Sequence, residues 1–366
     1  MHNAVRAAAA RSGSNTKRPY TKRPYIKRPY IERPNIEERS VMTDTTIRHR
    51  TIATNGIDMH IAEAGSGPLV VLCHGFPESW YSWRHQLPAL AAAGYHAVAP
   101  DQRGYGQTSK PEAEDAYTQF HMVGDIVGLV AALGERQAVI VGHDWGAPVA
   151  WNAALWRPDL FRAVAALSVP LSDRAPVAPL AMMRAMFGDN FFYILYFQRP
   201  GVAEHELQHD VRRSMRRLLF GGSGNAPDHG VEAIAISPAP ATAYFLDQLA
   251  DTDVLPPWLT EADLDFFTAE FTRSGFRGGL NWYRNFDRNW ALSGAFQGKK
   301  IEQPALFISG DRDLIRMNPG YEAQMRAVVP NLRDVVMLPG IGHWTQQEAP
   351  EAVNRALVAF VQSLDR

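Results

Sequence analysis

The sequence predicts an α/β fold in which a mostly parallel, doubly wound sheet is interrupted by an inserted helical cap. Short apolar runs alternate with helix-compatible segments in the first half of the chain and again near its end, which is typical of parallel sheets covered by helices. From residue 171 to residue 292 this alternation stops, and the chain becomes rich in aromatic, Met and Arg residues. We therefore expect a core made of residues 42–170 and 293–366, with residues 171–292 forming the cap.

The individual core elements follow from apolar runs and turn signals. Asn55-Gly56 separates two alternating segments and predicts a hairpin, and the continuous apolar run 69–73 is typical of a strand buried on both faces. The predicted strands are residues 47–53, 59–64, 69–73, 95–99, 138–141, 164–169, 304–308 and 334–338. The predicted core helices are residues 83–93, 120–133, 145–156, 320–329 and 350–364.

The first 41 residues differ in composition from the rest. They contain ten Lys or Arg and three Glu, a net charge of +7, so the remainder carries −8. Within them, residues 17–36 repeat a Lys-Arg-Pro-Tyr pentapeptide whose regular prolines exclude a helix. We expect a disordered, dispensable tail ahead of a start near Met42, with a transit peptide or an anion-attracted tail as alternatives. A basic tail on an acidic body is not expected to be a nucleic-acid-binding domain.

Cysteine and hydropathy patterns exclude several classes of protein. The single cysteine, Cys73, lies inside an apolar run and cannot form an internal disulfide, which favours a reducing, cytoplasmic compartment. No Cys/His cluster has the spacing of a zinc site, and we expect no metal or organic cofactor. The most apolar cap segment, residues 187–197, is too short and too polar for a membrane span.

A candidate nucleophile stands at the turn between the predicted strand 138–141 and the helix that follows. In Gly142-His143-Asp144-Trp145-Gly146 two glycines flank an acid, the pattern of a nucleophile elbow, in which small residues let one side chain project from a strained turn. A plain βα turn with an acidic helix cap has the same local pattern. Other residues must therefore decide between the two interpretations.

A candidate acid and a candidate base follow two later strands. Gly310-Asp311-Arg312-Asp313 comes after strand 304–308, and His343 lies in a glycine-flanked loop after strand 334–338. Ligands bind at the carboxyl ends of strands in open α/β sheets, so these loops should converge with the elbow. We prefer Asp313 as the acid because it lies one turn further along the loop and can point back to the imidazole. Asp311 is expected to brace the loop.

Five segments show that the chain resembles the α/β-hydrolase-fold epoxide hydrolases, and it is most similar to the hydrolase domain of the soluble epoxide hydrolases. The resemblance covers about residues 45–364. The matching segments are HGFPESWYSWR (74–84), GHDWG (142–146), YILYFQRPGVAE (193–204), NWYRN (281–285) and GHWTQ (342–346). Two-domain members also carry a phosphatase domain, which 41 preceding residues are too few to encode, so we expect no phosphatase activity.

The resemblance implies a role for each candidate residue. Asp144 would attack an epoxide carbon and form an alkyl ester, and a carboxylate with a reference pKa near 3.9 needs no base to do so. His343 would activate water to hydrolyse the ester, and Asp313 would orient the imidazole. Tyr193 and Tyr283 would donate hydrogen bonds to the epoxide oxygen, since tyrosine stays protonated at neutral pH.

The resemblance also implies residues that form the oxyanion hole and residues that contact the substrate. The backbone N–H groups of Phe76 and Trp145 would form the oxyanion hole, and the side chains of Phe76, Trp145, Trp282 and Trp344 would contact the substrate. The family also implies a cis peptide before Pro77. A small-molecule epoxide and water are the expected partners, and the protein would be a monomer or a homodimer.

Three alternatives share parts of this pattern. A haloalkane dehalogenase uses the same Asp–His–acid residues but needs halide donors, often an Asn or Trp at the position of Phe76, and no tyrosine acid. A serine esterase needs a serine in the elbow, and a non-catalytic homologue would be expected to have a broken triad. Halide release measured against diol formation separates the two enzymes.

Overall fold

The computed structural model describes residues 44–227, 237–314 and 318–364. The chain divides into two units, Met1–Met42 and Thr43–Arg366, and all described residues belong to the second. The predicted disorder of residues 1–41 therefore concerns a segment outside the described residues.

Eight strands form the central sheet, in the order β1-β2-β4-β3-β5-β6-β9-β10. Only the pairs β1–β2 and β2–β4 are antiparallel, and all other neighbours in this sheet are parallel, so the predicted fold class is confirmed. The strands of the described residues, including the two cap strands β7 and β8, are β1 (Arg48–Thr54), β2 (Ile57–Ala64), β3 (Leu69–Cys73), β4 (His96–Pro100), β5 (Ala138–His143), β6 (Phe161–Leu167), β7 (Asn190–Phe191), β8 (Ser237–Pro240), β9 (Ala305–Gly310) and β10 (Leu332–Leu338).

Helices cover both faces of the sheet and make up most of the cap. Within the described residues, short 3₁₀ turns include Trp80–Trp83, Glu114–Tyr117, Leu246–Gln248 and Ser293–Phe296. The α-helices of the described residues are α1 (Gln86–Ala92), α2 (Gln119–Ala132), α3 (Gly146–Trp156), α4 (Pro179–Phe187), α5 (Tyr193–Tyr196), α6 (Val202–His209), α7 (Val211–Gly221), α8 (Glu261–Ser274), α9 (Arg277–Arg284), α10 (Phe286–Leu292), α11 (Tyr321–Val328), α12 (Thr345–Glu348) and α13 (Pro350–Gln362).

Alternate residues of the central strands face two separate apolar layers. Val71 of β3 and Ile140 of β5 belong to the cluster that also contains α2, α3 and the cap. Their neighbours Val70 and Val139 belong to the cluster with α1 and α13. Because successive side chains of a strand point to opposite faces, a continuous apolar run is what a sheet covered on both sides requires.

The hairpin at the edge of the sheet forms at the predicted turn. Thr54 of β1 pairs with Ile57 of β2, and the two turn residues, Asn55 and Gly56, have φ values of 45° and 77°. Asn and Gly adopt positive φ more readily than other residues, so this turn suits a tight antiparallel connection.

The segment between β6 and β9 is mostly helical but contains one small sheet that we did not predict. Asn190 and Phe191 of β7 pair with Pro240 and Ser237 of β8 in antiparallel fashion. A strand of two residues is too short to show an alternating pattern, so nothing in the local sequence could indicate it.

Candidate active site

The nucleophile elbow forms at the junction of β5 and α3. Asp144 has φ of +48°, a strained conformation for a residue that is not glycine. A Cβ on Gly142 would lie 2.0 Å from the Gly146 carbonyl oxygen, and a Cβ on Gly146 would lie 2.0 Å from the Cys73 carbonyl oxygen. Both flanking glycines are therefore required by close backbone contacts around the turn.

The two oxygens of the Asp144 carboxylate have different partners. Oδ1 accepts a hydrogen bond of 2.7 Å from the Phe76 backbone N–H, and Oδ2 lies 3.4 Å from Nε2 of His343. The Phe76–Pro77 peptide is cis, as predicted. The oxyanion loop thus holds one oxygen in place and leaves the other next to the histidine.

Asp313, and not Asp311, contacts the histidine. Oδ1 of Asp313 lies 3.0 Å from Nδ1 of His343, and the Asp313 residue is only 1% exposed. Asp311 is exposed and accepts a hydrogen bond of 2.7 Å from the Gly340 backbone N–H, which ties the two loops together. The geometry therefore matches the arrangement expected for a nucleophile, base and orienting acid.

The pKa values of His343 and Asp313 are shifted by this arrangement. Burial alone would lower the pKa of His343, but the carboxylates of Asp313 and Asp144 outweigh it and raise that pKa well above its usual value. Burial acts against ionisation of Asp313, yet the neighbouring His343 holds the pKa of Asp313 below its ordinary value. Both carboxylates therefore favour the protonated form of the His343 imidazole.

The two predicted tyrosines come from the cap and lie close together. Tyr193 begins α5 and Tyr283 lies in α9, and their ring centroids are 6.0 Å apart. The Tyr283 ring contacts Phe76 edge-on at 5.4 Å. Burial, and then the charge of Asp144, raise the pKa of both hydroxyls above the ordinary tyrosine value. Both phenols are therefore proton donors at neutral pH.

A cavity of about 70 Å³ lies between core residues and the cap. Apart from Asp144, His343 and the two tyrosines, its described lining residues present mostly apolar or aromatic surface. The described lining consists of Phe76, Pro77, Asp144, Tyr193, Phe197, Leu218, Gly222, Phe245, Tyr283, Leu314, His343 and Trp344.

Two of the predicted substrate contacts lie elsewhere. The indoles of Trp145 and Trp282 meet edge-on at 6.1 Å, and neither side chain is among the residues that line the cavity. Trp282 is fully buried and donates a hydrogen bond to the Arg103 carbonyl oxygen at 3.2 Å. Because the Trp145 and Trp282 side chains pack behind Tyr283, they do not line the cavity. Phe76 and Trp344 do line it.

A buried Glu78–His143 pair next to the nucleophile was not expected from the sequence. Oε2 of Glu78 lies 2.7 Å from Nδ1 of His143, and Nε2 of His143 lies 2.7 Å from the carbonyl oxygen of His343. Burial would raise the pKa of Glu78, but His143 outweighs it and lowers that pKa to about 2. A carbonyl oxygen only accepts hydrogen bonds, so Nε2 of His143 donates to the loop that carries His343.

In the described part of the chain, no three His, Cys, Asp or Glu side chains are grouped to hold a metal ion. Within the same residues, no helix combines the length and apolarity that crossing a membrane requires.

Comparison with known proteins identifies the family. Residues 68–350 match the family model of the alpha/beta hydrolase fold. The chain is 48% identical over 318 residues to epoxide hydrolase A of Mycobacterium tuberculosis, covering 86% of this chain and 98% of that protein. It is 38% identical to bifunctional epoxide hydrolase 2 of Sus scrofa, covering 84% of this chain and 54% of that protein.

A solved structure shows the same relationship. The crystal structure of epoxide hydrolase A from Mycobacterium thermoresistibile superimposes with a TM-score of 0.82 at 50% identity, covering 87% of this chain and 98% of that one. On this geometry and these relationships, the chain belongs to the epoxide hydrolases of the α/β-hydrolase fold.

Proposed function

We propose that this protein converts an epoxide to a vicinal diol in two steps, through a covalent ester on Asp144. The observation that carries the proposal is the position of the Asp144 carboxylate. One of its oxygens is held by the Phe76 N–H, the other lies beside His343, and the cavity next to it is lined by Tyr193 and Tyr283. Such a site has a nucleophile for carbon and acids for a departing oxygen.

In the first step, Oδ2 of Asp144 attacks a carbon of the epoxide ring. The new C–O bond forms as the ring C–O bond breaks, and the released oxygen takes a proton from Tyr193 or Tyr283. The products are an ester and a tyrosinate. Proton donation avoids a free alkoxide, and general-acid help of this kind contributes roughly 10²- to 10⁴-fold to a rate.

In the second step, His343 takes a proton from water and the hydroxide attacks Cγ of the ester. Oδ1 becomes the oxyanion next to the N–H groups of Phe76 and Trp145. Before this, ester formation removes the Asp144 charge, so the pKa of His343 falls, its imidazolium gives a proton to the tyrosinate, and the neutral imidazole becomes available as the base. The tetrahedral intermediate then collapses, and the alkoxide of the diol leaves with the carboxyl proton. His343 keeps the proton that it took from water, which restores the protonated imidazole beside the Asp144 carboxylate.

The cavity also supports a substrate class. Because its described walls are apolar apart from the reacting groups, a neutral epoxide with apolar substituents suits it, whereas a charged substituent would be buried without a partner. A screen of epoxides of increasing size and charge, with diol measured as product, tests this proposal. Halide release from haloalkanes in the same screen would instead favour the dehalogenase alternative.

The test of the covalent route uses two variants. Asp144→Ala is expected to abolish turnover, because Asp144 carries the one carboxylate among the described residues that line the cavity. His343→Gln is expected to accept one alkyl group and then stop, which intact-protein mass spectrometry would detect as a stoichiometric adduct. In a single turnover in ¹⁸O-water, the label should enter Asp144 and not the diol. Steady diol production by Asp144→Ala would contradict the mechanism.

We also propose a cytoplasmic location and a monomeric or homodimeric state. A fully buried thiol at the end of β3 supports the first, and subcellular fractionation and light scattering test the two proposals.

A further inference from the structure

The catalytic histidine lies at a contact between the core and the cap in which backbone atoms of the two segments approach each other closely. The cap segment at the end of α7, residues 219–224, meets the histidine loop, residues 340–344. The His343 backbone N–H donates to the Gly222 carbonyl oxygen at 2.8 Å, and the Trp344 indole donates to the Leu219 carbonyl oxygen at 2.7 Å. We call this contact the glycine seam.

Glycines bring the two backbones of the glycine seam together. A Cβ on Gly224 would lie 2.1 Å from the Gly340 carbonyl oxygen, and a Cβ on Gly342 would lie 2.3 Å from the Gly224 nitrogen. Contacts this short leave no room for a side chain at Gly224 or at Gly342. A shift of the cap segment would therefore be transmitted directly to the loop that carries His343.

One carboxylate links both sides of the glycine seam. Oε2 of Glu348, at the end of α12, accepts hydrogen bonds from the N–H groups of Gly224 at 2.8 Å and Gly342 at 3.0 Å. Its Oε1 accepts from the Trp344 N–H at 3.0 Å. The carboxylate thus holds the residues immediately before and after His343 and attaches them to the cap.

We propose that Glu348 is a positioning residue that fixes His343 for the hydrolysis of the ester and couples the histidine loop to the cap. The inference rests on the proposed two-step function. Ester formation depends on Asp144, which the Phe76 loop holds, and on the cap tyrosines. Ester hydrolysis depends on where His343 stands, and a displacement of about 1 Å in such a group lowers a rate by roughly 100-fold. Glu348 therefore acts on the second step.

The test is the isosteric variant Glu348→Gln, which keeps one acceptor oxygen and turns an amide N–H₂ toward at least one backbone N–H. We expect the single-turnover rate of ester hydrolysis to fall roughly 10- to 100-fold, with alkylation changed by less than threefold. In steady state kcat and KM fall together, kcat/KM is preserved, and mass spectrometry finds the ester accumulated. Glu351→Gln, an exposed residue of α13, is the matched control and should behave like the wild type.

A second variant approaches the glycine seam from the cap side. Gly224→Ala should push Gly340 and Gly342 away and produce the same selective loss of hydrolysis, whether or not Glu348→Gln folds well. Equal slowing of both steps, or wild-type hydrolysis in a folded Glu348→Gln protein, would overturn the inference. If His343→Gln itself forms no ester, the two-step route is wrong; if it does, and Glu348→Gln hydrolyses normally, only the role of Glu348 is wrong.

Discussion

At Asp144 the two carboxylate oxygens are chemically distinct, because only Oδ1 is bonded to the Phe76 N–H. In the proposed mechanism Oδ2 attacks, so the backbone selects the attacking oxygen. Against the effect of burial, the Asp144 charge helps to raise the pKa of His343, which favours the protonated imidazole in the free enzyme. Loss of that charge in the proposed ester lowers the pKa of His343 again. The same carboxylate would then be the nucleophile and would also control when His343 becomes available as a base.

The tyrosine pair gives a prediction for single residues. Because Tyr193 and Tyr283 line one cavity, we expect either phenol to supply the proton when the other is replaced. We expect Tyr193→Phe and Tyr283→Phe each to lower the alkylation rate by roughly tenfold and the double variant by 10³-fold or more. Stopped-flow alkylation rates measure this. Tyr244→Phe, at an exposed cap tyrosine, is the control; an active double variant would mean that the pair only packs.

Glu78 gives a prediction for acid stability. Its pKa of about 2 lies below the ordinary glutamate value of 4.5, so its contribution is complete above pH 4.5 and is lost as the pH falls toward 2. That contribution is on the order of 3 kcal/mol. Urea unfolding of the wild type and Glu78→Gln from pH 7 to pH 3 should show the difference shrinking with acid. If the difference in unfolding free energy does not change with pH, stability is not coupled to the ionisation of Glu78. Glu351→Gln serves as the control.

At the scale of elements, the elbow depends on how closely β3, β5 and α3 approach. Strand β5 pairs in parallel with β3, and α3 begins at Gly146, where the Cys73 carbonyl oxygen occupies the position of a Cβ. The positive φ of Asp144 is maintained by this packing. The nucleophile is thus held by regular structure and not by a mobile loop.

The corresponding prediction compares two glycines. Gly146→Ala should lower the free energy of unfolding by about 3 kcal/mol or more, because the Cys73 backbone must move away. Gly294→Ala has an open site, with its nearest neighbour 3.9 Å away, and should change stability by less than about 0.5 kcal/mol. Urea denaturation of both proteins measures the contrast. Similar stabilities would show that the elbow tolerates a wider turn.

At the scale of the whole molecule, core and cap share one hydrophobic cluster. Phe76 and Trp145 of the core belong to it together with Phe197 and Phe245 of the cap. A largely buried ion pair at 3.1 Å between Arg84 of the core and Asp263 of α8 adds a second connection. The cap is therefore part of the same folded body, and this packing fixes the positions of Tyr193 and Tyr283 relative to Asp144.

Truncation tests the independence of the first 41 residues. A chain that starts at Met42 should keep its melting temperature within about 2 °C and its kcat/KM within twofold, because the unit Thr43–Arg366 contains the whole candidate site. Thermal unfolding and diol formation, compared with the full chain, check this. A large loss of activity would show that the repeat takes part in folding or substrate binding.

The sequence by itself determined the features that depend on neighbouring residues. Continuous apolar runs marked the buried strands, Asn55-Gly56 marked the hairpin, and Gly142-x-Asp144-x-Gly146 marked the elbow, because backbone conformation and burial pattern are local properties. The order of Asp144, Asp313 and His343 followed as well, since parallel strands bring their carboxyl ends to one edge.

Only the tertiary structure decided which distant side chains meet. Glu78 and His143 are 65 positions apart, and Glu348 reaches Gly224 across 124 positions, so no local pattern could pair them. Trp282 resembles a substrate contact in the sequence, yet packing turns its indole to the Arg103 carbonyl. The physical reason is that side-chain direction and long-range hydrogen bonds depend on how whole elements pack, which the residues of one segment do not encode.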